Sequence, residues 1–132
     1  MQGFALALKF SAPVFFIVGA LHLALGVGAD VLLGATLPSE ALSDPALDSQ
    51  NRFYGVAFTL YGSLLYLCAT DLARYDTVLR CAIWSFFAAG LARLVSIVVH
   101  GLPPPLVLIL LTSELLLPPL LLWRLSHLRR LN

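Results

Sequence analysis

Residues 86–101 read FFAAGLARLVSIVVHG, an almost wholly apolar run with one arginine, Arg93, well inside it. Residues 106–123, LVLILLTSELLLPPLLLW, are equally apolar and carry one carboxylate, Glu114, near the middle. A helix on the surface of a soluble protein lines one whole face with charge, whereas a helix in lipid carries few charges and turns them toward the protein interior. The two runs therefore read as consecutive membrane helices joined by the turn GLPPP (101–105). Counting about 1.5 Å of rise per residue from that turn, Arg93 lies roughly 10 Å and Glu114 roughly 12 Å down their helices. A charge at the bilayer centre costs about 2.5–3.5 kcal/mol on insertion scales, so each is expected to find the other across the hairpin.

The rest of the chain follows the same pattern. Of its 132 residues 60% are hydrophobic and 11% charged, far from the composition of a soluble domain. Apolar runs cover about residues 10–33, 53–70, 79–100 and 106–123, each near the ~20 residues a spanning helix needs. The sequence predicts an all-α integral membrane four-helix bundle, one domain over residues 1–132, with an outer loop over 34–51. The first run exceeds the ~7–15 apolar residues of a secretory signal and no convincing small-residue cleavage site follows, so it reads as a retained helix. Lys9 precedes run one, Arg74 and Arg80 flank the second connection, and Arg124, Arg129 and Arg130 follow run four. The positive-inside rule then places both termini in the cytoplasm, and the protein is expected in the cytoplasmic (inner) membrane as a multi-pass chain. The acidic connection GATLPSEALSDPALDSQN faces outward; its Pro, Ser and Asp residues make it a loop with at most one short helical turn.

Several classes are excluded. A net charge of +1, with Lys and Arg at the edges of apolar runs, leaves no basic stripe for nucleic acid. Cys68 and Cys81 have no zinc-type spacing, and both would sit near a reducing cytoplasmic face, so neither metal nor disulfide is expected. No glycine-rich phosphate loop implies a cofactor. His22 and His100 could join Glu114 only without the usual E-x-x-H or H-x-x-H spacing, so no metal site is predicted.

At 100° per residue the exceptional side chains align. Arg52, Gly55, Thr59, Gly62 and Tyr66 share a face of run two, Ala89, Arg93, Ser96 and His100 a face of run three, and Gly19, His22 and Gly26 a stripe of run one. The candidate ligand-binding or buried polar site comprises Arg52, Arg93 and Glu114 with Asn51, Ser96, His22 and His100; Gly19, Gly26, Gly55, Gly62 and Gly90 are the candidate helix-packing positions. Pro118 and Pro119 lack N–H groups and free the carbonyls of Glu114 and Leu115, which favours a polar pocket beside the carboxylate. Blander readings accompany these. Arg93 and Glu114 can serve as an ion pair that sets helix register, Arg52 as a snorkelling anchor, and Tyr54, Tyr61, Tyr66, Trp84 and Trp123 as interface or packing aromatics.

At LDSQNRFYG, AAGLARLVSIVVHGLPPP and SELLLPP the chain resembles the family known as domain of unknown function 4345, small bacterial membrane proteins with four predicted helices. The family pattern falls on Asp48, Arg52, Phe53, Gly55, Gly90, Arg93, Leu94, Ser96, Gly101, Pro103 and Glu114. His22 and His100 lie outside it. The resemblance implies a fold and leaves the function open. Three classes fit the residues, with the lipid bilayer as the surrounding partner in each. The first is a binding or accessory protein whose cleft at Arg52, Arg93 and Glu114 takes a lipid-like or isoprenoid-like ligand, or docks a larger membrane-protein partner. The second is an intramembrane isomerase or proton-transfer enzyme, with Glu114 as acid or base and Arg93 setting its charge state. The third is a small transporter formed as a homo-oligomer. The lack of a nucleophile and base close in sequence sets the enzyme second, and the lack of an internal repeat sets the transporter third.

Overall fold

The computed structural model describes residues 2–130, with side chains described as far as His127; the side chains of Arg129 and Arg130 lie outside the described residues. Among the described residues all regular structure is helical: α1 (Gln2–Leu25), α2 (Gly28–Leu32), α3 (Ser39–Leu42), α4 (Pro45–Thr70), α5 (Asp76–His100) and α6 (Pro105–Arg130). α1, α4, α5 and the Pro105–His127 part of α6 are long and apolar enough to cross a membrane. At about 1.5 Å per residue each measures roughly 35 Å or more, enough for the ~30 Å hydrocarbon core.

The helix ends differ from the apolar runs. The first helix begins at Gln2 and stops at Leu25, not at residues 10 and 33, because Gly26 adopts φ +54°, a left-handed conformation that terminates a helix. Its N–H still bonds the carbonyl of His22 at 2.9 Å before the chain turns into α2. Lys9 thus lies inside α1, exposed, where a long aliphatic stem lets its ammonium reach polar surroundings. The expected loop over 34–51 is shorter than its polar composition suggests. Asp44 caps α4, its Oδ1 accepting from the N–H groups of Ala46 (2.8 Å) and Leu47 (2.9 Å), and Pro45 opens the first turn. Asp48, Asn51 and Arg52 are helical in consequence. The rest of the loop holds one helical turn, α3.

The chain divides into two compact units, Gln2–Tyr75 and the segment from Asp76 onward. In the first, α1 packs along α4; in the second, α5 packs along α6. Glycines set the α1–α4 spacing. A Cβ at Gly19 would meet the Gly55 carbonyl oxygen at 2.8 Å and the Thr59 hydroxyl, and one at Gly55 would meet the Gly19 carbonyl oxygen at 2.8 Å. Two turns farther along α4, a Cβ at Gly62 would approach the Ala12 carbonyl oxygen at 3.1 Å. Lipid removes the hydrophobic drive between helices, so such close backbone contact supplies association by packing. Tyr66 shares the stripe in sequence but is exposed; a phenol ring does not enter a gap of glycine width.

Candidate functional site

The α5–α6 hairpin builds its site from a glycine outward. Gly90 is buried, and a Cβ there would lie 3.0 Å from Cβ of Glu114 and 2.9 Å from Cδ2 of Leu115. One turn along the same face of α5, Arg93 reaches across to α6. Its Nε donates to Oε2 of Glu114 at 2.7 Å, a short, charge-assisted hydrogen bond. The two partners are unequally enclosed: the Glu114 side chain is 6% exposed and that of Arg93 35%. Pro118, fully buried one turn along α6, has no N–H to offer the Glu114 carbonyl.

Arg93 is held by one of its three nitrogens. Its terminal amino groups make no hydrogen bond among the described residues, and neither does the Ser96 hydroxyl. Both residues border a cleft of about 280 Å³ whose other walls include Ile97, Pro103, Val107 and Leu111. The α5–α6 hairpin therefore presents unpaired donors at one side of an apolar recess.

A second polar cluster belongs to the α1–α4 unit. Arg52 donates from Nε to Oδ2 of Asp48 at 2.8 Å and from Nη1 to the Leu23 carbonyl at 2.5 Å. It thereby clamps the C-terminal turn of α1, where a cation also suits the helix dipole. The Asp48 carboxylate occupies the space that a side chain at Gly26 would need. His22 is buried; its Nδ1 donates to the Val18 carbonyl at 2.9 Å, and its Nε2 lies 3.5 Å from Oδ1 of Asp30. Asn51 is buried too, with Nδ2 donating to the Leu47 carbonyl at 3.2 Å and Oδ1 enclosed without a partner among the described residues.

The expected contact between Arg93 and Glu114 is present, and the candidate site residues differ in how far they are enclosed. Glu114, His22 and Asn51 are buried and Arg93 is half-buried, while Arg52, Ser96 and His100 are exposed. Arg52 is engaged by Asp48 and Leu23, because the extension of α4 to Pro45 puts Asp48 one helical turn before it. His100 stands in the last turn of α5. Gly26 ends α1 with a positive φ and also lies against the Asp48 side chain of α4. The family resemblance includes Asp48, but sequence reasoning paired neither Asp48 with Arg52 nor Asp30 with His22; the spacing of Asp48 and Arg52 at i, i+4 was the available signal. Among the described residues no three His, Cys, Asp or Glu side chains gather as metal ligands.

A family model described as "Domain of unknown function (DUF4345)" matches residues 4–125, nearly the whole chain. No curated protein and no solved structure matches it.

Proposed function

The chain belongs to the DUF4345 family, and from that premise we propose that it is a multi-pass membrane binding protein whose site is the Arg93 and Glu114 pair. Its ligand is the polar end of a lipid-like or isoprenoid-like molecule. One observation carries the reading: among the described residues the guanidinium is bonded through Nε alone, and it borders an apolar cleft. A pair whose sole task is to hold two helices gains most from a bidentate fork. Here the terminal amino groups are left over. Hydrocarbon offers these donors no acceptor, so a molecule that brings acceptors into the cleft is favoured there, and the surrounding aliphatic side chains accept its apolar body.

Binding also fits the carboxylate better than proton transfer does. Arg93 is the hydrogen-bond partner of the Glu114 side chain among the described residues, and no second group stands ready to pass a proton to or from it. The distribution of Lys and Arg supports an orientation with both termini on the cytoplasmic side.

The test is a photoreactive amino acid placed at Val107 in the cleft wall, with the same residue at exposed Ile109 as the control. After irradiation in native membranes, mass spectrometry should find a discrete apolar adduct at position 107 that disappears in the Arg93→Gln background. The same mixture of lipid adducts at both positions, unchanged by Arg93→Gln, would contradict the reading.

A further inference from the structure

The binding reading above is the basis for a narrower one, drawn from the charge balance of the site. Arg93 and Glu114 form one ion pair, and among the described residues neither makes a second one. The site is thus already neutral. We infer that the group bound at Arg93 is an uncharged hydrogen-bond acceptor, the carbonyl oxygen of an apolar molecule, and not an anionic head group.

Three observations converge on this. An incoming phosphate or carboxylate would place a second negative charge on a guanidinium whose first partner is an almost fully enclosed carboxylate. Like charges in a poorly solvated site oppose one another. Were the anion instead to displace Glu114, a buried carboxylate would be left without its counter-charge, which is the costly way to break such a pair. A carbonyl oxygen creates neither problem. Its two lone pairs can accept from a terminal amino group of Arg93 and from the Ser96 hydroxyl, the unbonded donors that border the cleft. The cleft itself, about 280 Å³, lies at the small end of ligand pockets. It encloses the carbonyl-bearing end of a molecule against Ile97, Pro103, Val107 and Leu111 and leaves a long tail in the bilayer.

Two sources present such a group in a membrane: the ester carbonyls of glycerolipids, and free carbonyl compounds such as long-tailed quinones. The experiment separates them. The full chain, with 15N-labelled arginine, is placed in nanodiscs of ether-linked phosphocholine lipid, which has no ester carbonyl. The Arg93 guanidinium resonances are followed while decyl benzoquinone, decyl acetate or decyl phosphate is added. The expected result is a saturable shift with at least one carbonyl probe, none with decyl phosphate at equal mole fraction, and an affinity about fivefold weaker in Ser96→Ala, the loss of one ordinary hydrogen bond. If lipid esters are the natural source, decyl acetate is the effective probe, and discs of ester-linked lipid already show the shifted resonance. If a free quinone-type compound is the source, decyl benzoquinone remains effective in ester-linked discs. Saturable binding of decyl phosphate in preference to both carbonyl probes would overturn the neutral-acceptor inference and leave the binding site standing. No response to any probe, with identical spectra in ether and ester lipid, would remove both.

Discussion

Glu114 is nearly sealed and Arg93 supplies its hydrogen bond, so the stability of this pair depends on both members being present. Removing one partner of a buried pair costs about 3–5 kcal/mol in soluble proteins and less in lipid, where the unfolded state finds other partners. Arg93→Leu and Glu114→Leu are each expected to lower the unfolding midpoint in detergent, and the double variant to recover much of the loss. Single variants as stable as the parent would contradict this account of the pair. Gly26 carries a second expectation. Alanine there meets both a left-handed backbone, at a cost of about 1–2 kcal/mol, and the Asp48 carboxylate. Gly3→Ala, with open space around it, should be close to neutral in the same thermal measurement. The Arg93 and Glu114 contact was legible in sequence because two lone, opposite charges at matching depth have few alternatives. The Arg52 clamp was not, because its acceptors are a main-chain carbonyl that sequence does not single out and an aspartate that composition assigns to a loop.

Among the elements, the α1–α4 hairpin rests on how closely two backbones approach. A Cβ at Gly62 would meet the Ala12 carbonyl oxygen and the Phe15 Cβ, both at 3.1 Å, so a leucine side chain has nowhere to go without separating the helices. Gly62→Leu should therefore depress thermal stability far more than Leu60→Ala, which truncates an exposed side chain. Equal effects would mean that the contact face of α4 is wrong. Asp44→Ala tests the other end of the same helix: losing an N-cap typically costs about 1 kcal/mol, and hydrogen exchange should rise at the Ala46 and Leu47 amides that Asp44 holds. The existence of four long apolar helices could be read from run length alone. Their ends could not. Val27, Val31, Leu32 and Leu33 continue the apolar run past Gly26, so hydropathy does not register the turn that the glycine makes. Conversely the polar letters of 45–52 look like loop until Asp44 and Pro45 are recognised as a helix start.

At the scale of the whole molecule, the charge distribution predicts a topology that cysteine chemistry can check. Cys68 and Cys81 are free, near the ends of α4 and α5 that meet at the second connection. With that connection in the cytoplasm, protein from intact cells should carry no bridge between them and Cys81, which is exposed, should resist membrane-impermeant maleimide until the cells are opened. The central claim, that Arg93 and Glu114 bind a molecule as well as joining two helices, is tested most directly by counting that molecule in the folded double variant. Native mass spectrometry of the Arg93→Leu, Glu114→Leu protein, released from membranes as gently as the parent, gives the number bound per chain. A binding site predicts a folded double variant that has lost the apolar adduct the parent carries. An adduct retained at the parent's stoichiometry would contradict it and leave the pair with a purely structural task.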